Sequence, residues 1–162
     1  MTKSIRICVL LLLAPIAGCT HGDKVKGTSP AQSRVDVLAA KLEGNEIGRI
    51  EIFEIPPEVL TRIAITPEAL EKQFDYKLTI RDIRGGAYQA KLIEAMKSTV
   101  VQPRSDMADI RWGIVFYGID ETRVAGVYFD KWGGNGAVDS TPVSFKGDLF
   151  KWLDGNFSDC FR

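Results

Sequence analysis

Apolar residues recur at helical spacing in three stretches of the chain, which predict helices around residues 35–42, 88–96 and 148–156. A further helix, the second in chain order, is predicted around residues 66–73 from its start signals. Gly44 is placed to end the first helix, since glycine is favoured just after a helix C-terminus. Thr66 is a suitable N-cap for the second helix, because Pro67 follows at the first helical position and Glu68 complements the helix dipole.

Strand patterns alternate with these helices and then follow one another directly. The predicted strands are Arg49–Ile55, Tyr76–Arg81, Ile110–Gly118, Arg123–Asp130 and Ala137–Phe145. Pro142 marks the last strand as an edge or bulged piece, and residues 99–109 predict mainly a loop. This order favours the α+β class, with a mainly antiparallel sheet of about four to five strands and helices packed on one face.

The first eighteen residues follow a pattern that is typical of a secretory signal peptide. Lys3 and Arg6 give a positive start, residues 7–14 are continuously apolar, and the small residues Ala17 and Gly18 end the segment. The apolar stretch, even extended to Gly18, covers 12 residues, whereas a membrane-spanning helix needs about 20. A signal peptide therefore explains residues 1–18 better than a transmembrane helix does.

The end of this segment, Ile16-Ala17-Gly18-Cys19, resembles the lipobox of bacterial lipoproteins, in which an apolar residue and two small ones precede a cysteine. The resemblance implies that Cys19 becomes the mature N-terminus and carries a diacylglyceryl group and an N-acyl chain such as palmitate. Two or three acyl chains hold a protein on a membrane, because each buried methylene adds about 0.8 kcal/mol. An ordinary cleaved signal peptide and an uncleaved anchor are the alternatives.

The residue after the cysteine carries the sorting signal of this class in Gram-negative cells. Asp at that position implies retention in the inner membrane, whereas this chain has Thr20. The resemblance therefore implies a protein anchored by its lipid in the outer membrane and facing the periplasm. It covers roughly the first twenty residues and implies nothing about the rest of the chain.

After the signal peptide, the composition predicts a lipidated flexible tether, residues 19–33, and a single domain, residues 34–162. The tether contains one large apolar residue, Val25, among small, polar and charged ones, so it cannot bury enough surface to fold. The only histidine, His21, lies in the tether, which leaves the domain without a histidine base or ligand. Cys160 is the cysteine left in the domain; we expect it to pack beneath the last helix, with a disulfide to a partner chain as the alternative.

Charge and motifs argue against several classes of function. The chain has 21 Lys+Arg and 21 Asp+Glu, and loss of Lys3 and Arg6 leaves a net charge of −2, which disfavours a nucleic-acid binder. Glu51 and Glu54 are a poor catalytic pair because their odd spacing places them on opposite faces of a strand. Asp130–Gly136 fails as a calcium loop because Trp132 occupies a ligand position. We therefore expect no catalysis, no metal and no cofactor besides the lipid on Cys19.

Two surfaces remain as candidates for binding. Eleven of the 15 aromatic residues lie between Trp112 and Phe161, and most must belong to the core. Trp132 is different because it stands among glycines in a predicted loop, and with Asp130, Lys131 and Asn135 it is a candidate recognition site, since Trp is enriched at binding hot spots. In the alternative, Trp132 folds back onto the sheet.

The second candidate surface is basic. Lys77 and Arg81 lie on the polar face of their strand and are candidates for docking an acidic partner. The alternative is an ordinary solvated face. Neither surface carries a motif that identifies its ligand.

The organisation of the chain is similar in layout to that of lipidated immunity proteins and periplasmic enzyme inhibitors. Both have a lipobox, a short tether and one small domain without catalytic residues. The resemblance implies a lipid-anchored, non-catalytic protein that neutralises an envelope-acting toxin or enzyme by binding it. The alternative is a structural or accessory subunit of an envelope assembly or secretion machine.

Overall fold

The computed structural model describes residues 28–161. The predicted signal peptide 1–18, the lipidation site Cys19 and the tether up to residue 27 lie outside the described residues. No helix within residues 28–161 is both long enough and apolar enough to cross a bilayer.

One antiparallel sheet forms the centre of the domain. Its strands are β1 (Ile47–Glu54), β2 (Tyr76–Arg81), β3 (Val100–Pro103), β4 (Ile110–Gly118), β5 (Arg123–Asp130), β6 (Asn135–Val138) and β7 (Thr141–Lys146). The helices are α1 (Pro30–Glu43), α2 (Pro67–Gln73), α3 (Ala87–Lys97) and α4 (Leu149–Phe157), with a 3-10 turn, Ser158–Cys160, at the end. The strand order is β2-β1-β4-β5-β6-β7-β3, and every neighbouring pair is antiparallel.

The α+β class and the antiparallel sheet are confirmed, but the predicted number of four to five strands is wrong because the sheet has seven. The stretch 99–109, predicted as a loop, contains β3, which pairs with β7. The stretch predicted as one strand, 137–145, bends after Val138 and forms the β6–β7 hairpin. Asp139 makes this bend possible by adopting a left-handed conformation with φ 51°. Pro142 lies in β7, between β6 and β3, and not on an edge strand.

The two faces of the sheet are covered unequally. Helices α1, α3 and α4 pack on one face over a large apolar core that includes Ile114 and Phe129. Helix α2 packs on the other face, where Leu70 belongs to a smaller core with Val115 and Tyr128. The prediction of helices on one face is therefore wrong for α2. Gly113 makes room there, because a Cβ at this position would lie 2.8 Å from the Tyr128 ring and 3.0 Å from Leu70.

Helix α1 begins four residues before the predicted domain boundary at residue 34. Ser29 is its N-cap, and the Oγ atom accepts a hydrogen bond of 3.1 Å from the backbone N–H of Gln32. Pro30 occupies the first helical position, and Ala31 is buried. Residues 30–33 therefore belong to the folded domain and not to the tether.

The first turn of α1 also contacts the edge strand β3. Gln32 Oε1 accepts a hydrogen bond of 2.6 Å from the backbone N–H of Val101. Gln32 Nε2 donates to the carbonyl oxygen of Thr99 at 3.4 Å. The side chain of one helical residue thus joins α1 to the backbone of the sheet edge.

Candidate functional site

The connection between β5 and β6 places Trp132 at the surface. Its side chain is 76% exposed, and the Nζ atom of Lys131 lies 4.7 Å from the centroid of the indole ring. We call residues 131–134 the Trp132 loop. The structure places Trp132 in solvent rather than against the sheet, and Lys131 is exposed beside it.

Asp130 fixes the conformation of the Trp132 loop from below. Its buried carboxylate accepts hydrogen bonds from the backbone N–H groups of Trp132, Gly134 and Asn135 at 3.1–3.3 Å. The Nδ2 atom of Asn135 donates to the second carboxylate oxygen at 3.0 Å, and the Oδ1 atom of Asn135 accepts from Arg104. Asp130 and Asn135, which the sequence suggested as contact residues, therefore shape the loop, and Trp132 and Lys131 face outward.

Gly133 is required in this loop by conformation and by space. Its φ is +71°, in the left-handed region that favours glycine. A Cβ at Gly133 would lie 2.0 Å from the ring of Phe150. Directly after Trp132 the backbone therefore passes over α4, and it has little freedom to rearrange.

A cleft of about 620 Å³ opens beside Trp132. We call it the Trp132 cleft. Its aromatic walls come from Tyr76, Trp112, Trp132, Phe150 and Phe161. Phe161 joins two of them, because its ring centroid lies 5.6 Å from that of Tyr76 and 5.7 Å from that of Trp112. Phe161 thus extends the aromatic wall that Tyr76 and Trp112 form on the sheet.

The strand order explains how this wall forms. Glu54 in β1 is paired with Tyr76 in β2 on one side and with Trp112 in β4 on the other. The three side chains are therefore cross-strand neighbours at one end of the sheet. Tyr76 and Trp112 are 36 residues apart in the chain, and only the insertion of β1 between their strands brings them to the same cleft.

The charged residues of the cleft are mostly acidic. Glu54, Glu58 and Asp154 line it, and Lys131 is the basic residue among the lining side chains that the structure describes. Glu54 is buried at the end of β1, whereas Glu58 and Asp154 are exposed at the rim. Among the residues that the structure describes, the cleft therefore combines aromatic walls with more acidic than basic side chains.

The loop between β1 and α2 borders the same cleft and exposes aliphatic side chains. We call residues 56–64 the Leu60 loop; its first residues, Pro56, Pro57 and Glu58, line the cleft. Leu60 is 96% exposed and Ile63 is 79% exposed. These exposed side chains lie between two predicted elements, Arg49–Ile55 and the helix after Thr66, and the sequence pattern does not single them out.

A buried arginine holds the Leu60 loop to the sheet. The Nη1 atom of Arg111 donates to the carbonyl oxygen of Val59 at 2.8 Å, and its Nη2 atom donates to the hydroxyl of Thr61 at 3.3 Å. Asp109 pairs with the same guanidinium at 2.6 Å and also accepts the backbone N–H of Ile65 at 2.8 Å. The Arg111 side chain thus holds the backbone of the Leu60 loop in place.

The basic candidate pair does not form one patch. Lys77 Nζ lies 3.0 Å from Glu51 Oε1, and the buried Glu51 also accepts the Tyr117 hydroxyl at 3.0 Å. Burial, together with this hydrogen bond, raises the pKa of Tyr117. Arg81 is exposed and makes no ion pair with any residue between 28 and 161. Lys77 thus neutralises a carboxylate, while Arg81 is solvated at the other end of β2.

A second polar network lies on the α2 face, beside a cavity of about 450 Å³. The Tyr128 hydroxyl donates to Glu71 of α2 and accepts a hydrogen bond of 2.8 Å from Arg123, which pairs with Asp139 at 3.1 Å. Burial and the contact with Glu71 raise the pKa of Tyr128. These groups form hydrogen bonds and ion pairs with one another and so connect α2 to the sheet. The sequence did not predict this structural role.

The remaining sequence candidates are placed as follows. Cys160 is exposed and forms no disulfide within residues 28–161, so the expectation that it packs beneath the last helix is wrong. Glu51 and Glu54 lie apart, the first beside Tyr117 and the second in the Trp132 cleft. Among residues 28–161, no group of three or more Cys, His, Asp or Glu side chains is arranged to hold a metal ion.

Comparisons with family models, with curated proteins and with solved structures gave no match.

Proposed function

We propose that this protein is a non-catalytic binding protein that receives a protein partner at the Trp132 cleft. The observation that carries the proposal is an exposed tryptophan on a loop whose backbone is held by the Asp130 carboxylate. An aromatic side chain that is already positioned loses little conformational entropy when it binds. A cleft beside it offers a concave surface into which a partner side chain fits.

The proposed location is the cell envelope. The lipobox resemblance around Cys19 supports a lipid anchor in the outer membrane, with the domain in the periplasm. The layout shared with lipidated immunity proteins and periplasmic inhibitors supports an envelope-acting toxin or enzyme as the partner. A Cys19→Ala protein that still incorporates a fatty-acid probe would contradict the anchor, without bearing on the cleft.

Site-specific photo-crosslinking tests the cleft directly. A photoreactive phenylalanine analogue replaces Trp132 in the full chain, expressed in its own cells. We expect a discrete adduct with one protein. The matched control places the analogue at Ile119, which is 67% exposed in the turn between β4 and β5 and is not among the residues that line the Trp132 cleft.

The two positions separate specific binding from general exposure. An adduct formed from position 132 and not from position 119 supports the proposal. The absence of an adduct at position 132, or the same adducts from both positions, contradicts it. The free energy of unfolding of both proteins is measured in urea, so that a folding defect is recognised.

A further inference from the structure

The Trp132 cleft has the chemistry of a receptor for a cation. Its walls contain five aromatic side chains, and the faces of aromatic rings attract ammonium and guanidinium groups. One such contact is already present within the chain, since the Lys131 ammonium lies 4.7 Å from the Trp132 centroid. The Trp132 ring is thus oriented so that a cation reaches it.

The charge of the cleft selects the sign of the occupant. Among the lining residues between 28 and 161, Glu58 and Asp154 expose carboxylates at the rim, and Lys131 is the basic residue. Low-dielectric walls around charges of one sign strengthen their field inside a cleft. An acidic segment would be repelled here, and an aliphatic one would remove water from the carboxylates without replacing its hydrogen bonds.

We propose that the Trp132 cleft binds an arginine side chain presented by the protein partner; this inference rests on the proposed function. The methylene stem of arginine packs on aromatic surface while its charged end reaches the carboxylates. The planar guanidinium stacks on rings and donates two parallel hydrogen bonds to a carboxylate, which the lysine ammonium cannot do. The partner is therefore a protein with an exposed arginine in an extended or looped segment.

A peptide titration tests the chemistry of the occupant. A dye-labelled, capped tetra-arginine peptide is added to the full chain, and fluorescence anisotropy reports binding at fixed ionic strength. Tetra-lysine and tetra-glutamate peptides are the matched probes. We expect saturable binding of tetra-arginine, binding of tetra-lysine that is weaker by about threefold or more, and no binding of tetra-glutamate.

Charge-matched variants separate the cleft from the rest of the surface. The double variant Glu58→Gln/Asp154→Asn removes two rim carboxylates and is expected to weaken tetra-arginine binding about tenfold. The control, Asp36→Asn/Glu68→Gln, removes the same charge from exposed positions on α1 and α2 and is expected to change binding less than twofold. Trp132→Ala is expected to weaken it about fivefold, through loss of the ring contact.

Three results would overturn the proposal. These are no binding of tetra-arginine, equal weakening by the cleft and control variants, and binding of tetra-glutamate. Crosslinking from position 132 is independent of the occupant's charge. An adduct there, combined with failure of the tetra-arginine titration, would keep the binding function and discard the arginine; loss of the adduct would discard both.

Discussion

The Trp132 loop and the Leu60 loop lie side by side on the same cleft, and each is held by one buried charged side chain. Beneath the Trp132 loop, the Asp130 carboxylate accepts three backbone N–H groups. Beneath the Leu60 loop, the Arg111 guanidinium donates to the Val59 carbonyl oxygen and the Thr61 hydroxyl. One loop is therefore held by a buried carboxylate that accepts hydrogen bonds, and the other by a buried guanidinium that donates them.

The loops differ in how completely they are held. In the Trp132 loop, the hydrogen bonds to Asp130 and the close passage of Gly133 over Phe150 hold the backbone of Trp132, Gly133 and Gly134. In the Leu60 loop, the contacts with Arg111 are at Val59 and Thr61, and the Leu60 side chain between them is 96% exposed. Exposure alone therefore does not identify a recognition residue. A held backbone and an adjoining cleft distinguish Trp132 from Leu60.

The largest expected effect tests how tightly the Trp132 loop is held. Gly133→Ala places a methyl group against Phe150 and forces a left-handed alanine, so we expect the free energy of unfolding to fall by about 3 kcal/mol. Gly134→Ala is the matched control, because no atom lies within 4 Å of its added Cβ. Urea unfolding measures both. Equal losses at the two glycines would show that the loop is not held as described.

Removing the support of the Leu60 loop should have a somewhat smaller effect. Arg111→Met leaves the Val59 carbonyl oxygen and the Oδ2 atom of Asp109 without the donors that Arg111 supplies, at an expected cost of about 2 kcal/mol. The freed loop should also be cut faster by trypsin after the exposed Arg62. Arg84→Met, which removes an exposed ion pair with Asp82, is the control and should change stability by less than about 0.5 kcal/mol. Unchanged cleavage at Arg62 would contradict the role of Arg111.

A subtler change in the Trp132 loop should loosen it without unfolding the domain. Asp130→Asn keeps one acceptor oxygen but places an NH₂ group where the Asn135 amide donates, so we expect a loss of about 1 kcal/mol. Hydrogen exchange should become faster at the amides of Trp132, Gly134 and Asn135. The Thr122 amide, bonded to Asp120 in another turn, is the internal reference. Faster exchange at Thr122 as well would indicate global destabilisation.

The smallest expected change in stability comes from substituting the exposed side chain of each loop, and these two variants test which loop binds the partner. Trp132→Ala and Leu60→Ser both alter exposed side chains and should each change the free energy of unfolding by less than about 0.5 kcal/mol. Only Trp132→Ala should reduce recovery of the partner that crosslinks at position 132. An equal reduction by Leu60→Ser would extend the binding surface over both loops and remove the distinction between them.

The elements with long, regular patterns could be predicted from the sequence. β2 shows clear alternation, β4 and β5 are long β-rich runs, and α2 begins directly after the predicted cap Thr66. The short strand β3 could not be predicted, because four residues ending in Pro103 show no reliable period and their partner β7 lies about 40 residues away. Similarly, the turn at Asp139 depends on a left-handed aspartate, which the sequence does not distinguish from a strand residue.

The candidate site could be predicted only in part. Trp132 stood out because it lies among glycines, away from any periodic element. The cleft beside it did not, because Tyr76, Glu54 and Trp112 become neighbours through a strand order that differs from the chain order. The hydrogen bonds of Asp130 to its own loop could not be predicted, because a carboxylate near a tryptophan suggests contact with a ligand and not with the backbone.

The side chain of Gln32 has a consequence for solubility. An edge strand with free N–H groups can accept a strand from another molecule, which is a common beginning of aggregation. At β3 the outward N–H of Val101 is already bonded to Gln32, and Pro103 has no N–H to offer. One residue of the first helix thus closes this edge against growth of the sheet from molecule to molecule.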